Sequence, residues 1–288
     1  MSGQRGVPVI GRRFPRRWKP LLLGLSLSFW GWACDSTDQY VELLSSPDPG
    51  MRKSASFKLL LRGEKAVPPL LEIIENGPDS TRYIVVQLLG KIGDERAVQP
   101  LVGLLEGAEE ASMREETAEA LGKLGDPTAI QPLVEVLRKD EVPEVRVEAV
   151  RGLINLRLGD PEPLVQALED WFPQVRKEAL IGLVRLQHSG WGEHLLILAK
   201  DPDPEVRYIA IQLLGRWGEE GGIATLIEAL DDESGGVREE AATALGKLGA
   251  LEAREALIDL MTRSSNPDGD AARKALKAIT GVDYQVVE

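Results

Sequence analysis

Apolar positions along most of this chain recur at helical spacing, in short stripes that come in pairs and are broken by turn signals. In the stretch Met113 to Leu137, Ala118, Leu121 and Leu124 share one helical face, and Glu115, Glu116, Glu119 and Lys123 fall on the other. Gly125 follows at once, where a helix end favours a residue free to turn left-handed. A second stripe of Ile130, Leu133, Val134 and Leu137 predicts the next helix. Pro132, with Pro69, Pro100 and Pro163 in the same register, belongs to its first turn or to a kink, and Asp94 and Asp126 are predicted as N-caps. Gly122 sits inside its helix although glycine costs about 1 kcal/mol there relative to alanine. Gly90, Gly215 and Gly246 repeat that choice, which predicts close helix approach at this position.

The paired stripes repeat. An arginine opens one helix of each unit, at Arg52, Arg82, Arg114, Arg146, Arg176, Arg207 and Arg238, and a slipped last copy is expected at Ala272 beside Arg273. Leu70, Leu101, Leu133, Leu164, Leu195, Leu226 and Leu257 keep step with it at intervals of 31 or 32. Helix pairs this short bury their apolar faces only against neighbours. The expected fold is all-α, a right-handed α-solenoid of about eight helix pairs over residues 40–288. The first pair departs most from the pattern: Lys58 and Arg62 stand where later copies are apolar, as suits a capping unit.

The pattern V-R-x-x-A, then A-L-G-x-L-G-D, then A-[VI]-x-P-L resembles the HEAT-like repeat named after the phycobilisome lyases. It is carried by Val237, Arg238, Ala241, Leu245, Gly246, Leu248 and Gly249, and by Gly125, Asp126, Ala129, Ile130, Pro132 and Leu133. The resemblance runs from roughly Asp38 to Asp283. It implies the solenoid fold strongly and a particular activity only weakly.

Residues 1–33 differ in kind. Six basic residues and no acidic ones precede the apolar run Leu21 to Ala33, LLLGLSLSFWGWA, the layout of a secretory signal. That run is short for a membrane span of about 20 residues. Cys34, the one cysteine, follows directly, and its setting resembles the lipobox of bacterial lipoproteins, with residues 34–39 as a short tether. A lipid anchor at Cys34 is expected, facing the periplasm or the cell exterior. Soluble export after a small-x-small cleavage at Gly31 and Ala33 and an uncleaved anchor are the alternatives. A single cysteine rules out an internal disulfide or a cysteine metal cluster. Without those six positive charges the formal charge of −12 becomes −18. Such a body repels nucleic-acid phosphates and favours cationic partner segments.

No Gly-rich phosphate loop, nucleophile motif or metal-ligand cluster appears. His188 and His194 are the only histidines, and neither precedes a glutamate, unlike the His-Glu pairs of HEAT-like di-iron hydroxylases. No catalytic residue, cofactor or metal site is expected. The anchoring arginines are expected to bind acidic or carbonyl groups of the adjoining unit. The function expected is a non-catalytic, membrane-tethered, extracytoplasmic scaffold for a protein partner, with the chain itself monomeric. The alternative is a lyase-like or chaperone-like factor for a chromophore-bearing protein.

Partner-contact candidates lie on the arginine-bearing helices, the second of each pair. Tyr83-Ile84 and Tyr208-Ile209 follow the arginine where Glu115-Glu116 and Glu239-Glu240 stand in other units. Trp171-Phe172 places two aromatics in a surface turn, a candidate contact anchor. Trp217, in the register of Leu124 and Leu248, is expected in the core. Nine residues after each arginine come Lys91, Lys123, Asn155, Arg185, Arg216 and Lys247, a mostly basic row in an acidic chain. The expected contact surface centres on Arg185 and Arg216, beside Ile181 and the two tyrosines.

Overall fold

The computed structural model describes residues 36–285, apart from 189, 191, 218–220 and 265. Cys34 and the expected signal segment lie outside the described residues. From Ser36 onward the chain forms one compact unit. It is a row of helix pairs: α1 (Thr37–Leu43) and α2 (Pro49–Arg62), α3 (Val67–Asn76) and α4 (Asp79–Ile92), α5 (Val98–Gly107) and α6 (Ala111–Leu124), α7 (Ile130–Lys139) and α8 (Pro143–Asn155). Then follow α9 (Glu162–Ala167) and α10 (Pro173–Arg185), α11 (Gly192–Leu198) and α12 (Pro204–Trp217), α13 (Gly222–Glu228) and α14 (Gly235–Leu248), α15 (Arg254–Arg263) and α16 (Pro267–Thr280). This is an α-solenoid, as expected. Helix α1 starts at Thr37, capped by the Ser36 hydroxyl, so it takes up residues assigned above to the tether.

The seven register leucines from Leu70 to Leu257 are all fully buried. Each contributes about 1.5–3 kcal/mol by leaving water. Pro69, Pro100 and Pro132 sit third in α3, α5 and α7, where no intrahelical amide bond is lost. Asp94 and Asp126 do cap, but one step earlier than expected. Their carboxylates accept from the amides of Arg96 (3.0 Å) and Thr128 (2.8 Å), opening the short 3-10 turns that lead into α5 and α7.

The second helices pack against one another along the row more closely than the first helices do. Small residues permit it. A Cβ added to Gly122 would stand 2.6 Å from the Cα of Gly152, and one added to Gly246 would stand 2.8 Å from the Cα of Ala275. Close packing on one side turns the row toward it, so the second helices form its inner side.

Ion pairs lock successive units at one edge. Arg114 clasps Asp140 with its Nε and Nη2 (2.6 and 2.9 Å), while its Nη1 donates to the carbonyls of Ala108 and Glu109. Arg146 does the same with Asp170 (both 2.7 Å) and with the carbonyl of Asp140. Arg176 takes Asp201 and the Asp170 carbonyl; Arg207 takes Asp232 and the Asp201 carbonyl. Each aspartate thus receives one arginine on its side chain and the next on its backbone. Asp140, Asp170, Asp201 and Asp232 also accept the amide two residues on, fixing the turn between the helices. From Arg114 to Arg238 the arginines bind the adjoining unit, as expected, whereas among the described residues Arg52 and Arg82 bind only groups of their own helix pair.

Three expectations need correction. The last unit is anchored at Asp270, not Ala272: Gly281 stands eleven residues after Asp270, as Gly249 stands after Arg238, and both have a positive φ. Its ladder position is Ser264, so Arg238 reaches instead to Asp268 (2.6 Å), which the Ser264 hydroxyl also binds (2.7 Å). Glu116 is buried, not solvated, because close approach of α4 and α6 covers it and Gln87 donates to it (3.1 Å). Trp217 is 44 % exposed rather than core. It ends α12, and the equivalent Leu124 and Leu248 are themselves only half-buried, so an indole exceeds the space there.

Candidate partner-binding surface

The inner side of the row presents four positions per second helix: one, two, five and nine residues after the anchor. At the first position Tyr83 and Tyr208 are each just over one-third exposed, and Ile84 and Ile209 beside them are half-buried against the core. Both phenols are tied to glutamates of the next helix. The Tyr208 hydroxyl donates to Glu240 at 3.2 Å. A hydrogen bond with Glu116, burial and the charges of Glu116 and Glu115 raise the Tyr83 phenol above its ordinary pKa. Burial first, then Glu240, does so for Tyr208. Further bonds across the helices come from Arg151 to Glu178 (2.7 Å) and from Lys177 to Glu205. The first-turn end of this face is therefore stitched by its own side chains.

The last-turn end is different. Lys91, Arg185, Arg216 and Lys247 are exposed, and none of them forms an ion pair among the described residues. Lys123 alone of the row pairs, with Glu119 on its own helix at 2.6 Å. Arg216 and Lys247 border one open cleft of about 280 Å³ with Gln212, Gly215, Glu240 and Ala244. Lys247 and Lys274 border the next, of about 330 Å³. Arg185 lines a third, of about 500 Å³, with Arg157, Gln187 and His188.

The candidates therefore do not form one cluster. Ile181, 37 % exposed, sits one turn before Arg185 on α10. Tyr208 is eight residues before Arg216, about 12 Å along the helix, and Tyr83 lies further off on α4. The tyrosines do not run beside the basic row. Trp171 and Phe172 sit at another edge, over the arginine ladder: the Arg146 guanidinium covers the Trp171 ring at 5.4 Å, and Phe172 meets it edge-on at 5.6 Å. Phe172 packs on the core, whereas Trp171 remains 69 % exposed. Sequence reasoning passed over Met51, Phe57 and Leu61 on α2, all more than half exposed. For Phe57 and Leu61 the signal was present, since their registers are mainly polar in the other units.

Among the described residues no group of three or more potential metal ligands comes together, and no helix is long and apolar enough to cross a membrane. The HEAT-repeat family model matches residues 67–154 and 192–277. No curated protein matches the chain in sequence. Among solved structures, Escherichia coli YibA aligns over 84 % of this chain and 91 % of its own, at 18 % identity and a TM-score of 0.62. That likeness bears on the fold alone. The phycocyanin lyase complex CpcE–CpcF of Nostoc (21 % identity, 90 % and 100 % covered, TM-score 0.44) superposes more loosely. So does human deoxyhypusine hydroxylase (22 %, 85 % and 96 %, 0.38).

Proposed function

The chain belongs to the HEAT-repeat family, and from that premise we propose that it is a membrane-tethered scaffold outside the cytoplasm that captures a protein partner on its second helices. The observation that carries this is the row of exposed cations, Arg185, Arg216 and Lys247, without ion pairs among the described residues of a strongly acidic chain. Clefts between successive helices open beside them. A partner segment of complementary chemistry is acidic, with apolar side chains for Ile181 and the cleft floors. Tethering rests on the basic, then apolar, N-terminal segment ending at Cys34. The proposal assigns no catalytic step to the chain.

The test is cross-linking of the full chain to partners in isolated membranes. Arg185→Glu with Arg216→Glu should leave helical content and melting point nearly unchanged, yet reduce partner capture, most strongly at low salt. Normal capture by the double variant at low salt would move the contact surface elsewhere. Separately, Cys34→Ala should abolish lipid labelling and release the protein from membranes; a variant that still pellets as before sinks the tether.

A further inference from the structure

Helix α2 reverses the charge of the chain it opens. From Pro49 to Lys65 there are five basic residues, Arg52, Lys53, Lys58, Arg62 and Lys65, against Glu64 alone. Two of these are engaged locally: Arg52 donates to the Ser46 carbonyl at 2.8 Å, and Arg62 lies over the Tyr40 ring at 5.2 Å. The three lysines are exposed. The same helix exposes Phe57 (60 %) and Leu61 (68 %), one turn apart, with Lys53 a turn before Phe57 and Lys58 flanking them on the other side. Its buried side, Ala55 and Leu59, packs toward α1 and α4.

The fold explains the exposure of Lys58. Six residues after the anchor, later units carry Leu88, Ala120, Gly152, Gly182, Leu213 and Ala244, all buried. Ala120, Gly152 and Ala244 abut glycines of the preceding unit. No helix pair precedes α2 among the described residues, so this register becomes an end face, and lysine occupies it. An end cap needs only polar residues to stay soluble. Phe57 and Leu61 at the centre of the exposed face are not explained by capping.

We propose that this face of α2 lies on a membrane surface of anionic lipid, with Phe57 and Leu61 at headgroup depth and Lys53, Lys58 and Lys65 against lipid phosphates. An apolar strip flanked by lysines is the chemistry of an interfacial helix. Two apolar side chains are too few to hold a protein there unaided. The inference rests on the tether proposed above, which supplies the rest of the attachment: Thr37 is three residues after Cys34, a reach of about 10 Å, so lipid contact by α2 is intramolecular. Charge then fixes orientation, because anionic lipid attracts the lysine end and repels the acidic body.

The test uses the full chain, purified from membranes and reconstituted into phosphatidylcholine vesicles with and without phosphatidylglycerol, each containing a photoactivatable phospholipid. With phosphatidylglycerol, lipid cross-links should concentrate between Met51 and Leu61, several-fold above Ile197 and Leu251, which are equally exposed apolar controls (69 % and 65 %). Lys53→Glu with Lys58→Glu should remove that enrichment while co-sedimentation through the tether persists. A protein that co-sediments with α2 labelled no more than Ile197 overturns the inference and leaves the tether standing. A protein that stays in the supernatant with both lipids overturns both. Cross-linking of α2 to a co-purifying protein in place of lipid would assign the face to that protein, again overturning the inference.

Discussion

Arg82 and Ala108 line one cleft of about 340 Å³, and the Arg82 Nε is buried there without a hydrogen-bond partner. Twenty-six residues separate them, the interval that separates Arg114 from Asp140. Ala108 thus stands where the ladder calls for a carboxylate. Arg82 turns instead to Asp79 on its own helix (3.1 Å) and the Glu75 carbonyl (3.0 Å). Among the described residues the interlocking ion pairs begin only at Arg114, and the joints before it show none.

Ala108→Asp should complete the missing rung. Charge-assisted hydrogen bonds contribute about 1.5–3 kcal/mol, and repulsion from neighbouring Glu109 and Glu110 offsets part of that. The expected outcome is a raised melting temperature that vanishes in an Arg82→Met background. An unchanged melting curve would mean that Arg82 does not leave Asp79.

Arg176 and Asp201 form the most enclosed rung, their side chains 8 % and 5 % exposed. Asp201→Ala strands a buried guanidinium and should cost about 3–5 kcal/mol. Replacing both, Arg176→Met with Asp201→Leu, should cost far less, since the desolvation penalty goes with the pair. Chemical denaturation of the three proteins separates the cases. A double variant as unstable as the single one would mean that the turn's amide bond to Asp201 stabilises this joint more than the ion pair does.

The ladder also sets an acid limit. Burial opposes the charged form of Asp140, yet hydrogen bonds from Arg114 and the Val142 amide outweigh it and hold the carboxyl below its ordinary value of 3.8. Asp268 is depressed likewise, burial being outweighed by Ser264 and Arg238. A lowered folded-state pKa gives stability that is complete above the unfolded value and lost as pH falls through the folded one. Unfolding free energy should therefore drop as pH falls below about 3.8, and Asp140→Asn should flatten part of that slope. A slope identical in the variant would place the acid-labile groups elsewhere.

Much of this architecture could be read from the sequence because a repeat reports each structural role several times over. The buried leucines and the arginine anchor each recur seven times at fixed intervals, and the glycine at the helix contact four times, so several samples stand behind each inference. Trp217 and Glu116 went astray because both depend on how closely neighbouring helices approach, a distance that periodicity does not encode. The binding surface was harder for a related reason. Tyr83 and Arg216 share the inner side but sit at opposite ends of their helices, a separation visible only once the pairs are stacked. On α2, Phe57 and Leu61 depart from the polar residues of their registers in the other units, but that departure marks an exposed apolar face only once the end unit is seen to leave them uncovered.

Two turns carry strain that substitution should relieve. Eleven residues after the anchor the chain turns left-handed, with glycine at Gly93, Gly125 and Gly249, but Arg157 (φ 54°) and Gln187 (φ 57°) hold the position after α8 and α10. Their turns close in the same way: the Arg157 and Leu158 amides donate to Ile154 and Leu153, and the Gln187 and His188 amides to Val184 and Leu183. A side chain in this conformation costs about 1–2 kcal/mol, and glycine's greater freedom when unfolded returns part of any gain. Arg157→Gly should therefore raise stability by roughly 0.5–1 kcal/mol, whereas Arg157→Ala, keeping its Cβ, should not. The two turns touch, since the His188 Nε2 lies 3.1 Å from the Leu158 carbonyl across their shared cleft. Gains from Arg157→Gly and Gln187→Gly should then add imperfectly, as for residues with a shared contact. Denaturant melts of both single variants and the double variant would decide it: strict additivity would mean that each turn relaxes on its own, and no gain at all would mean that other contacts of Arg157 and Gln187 outweigh the backbone cost.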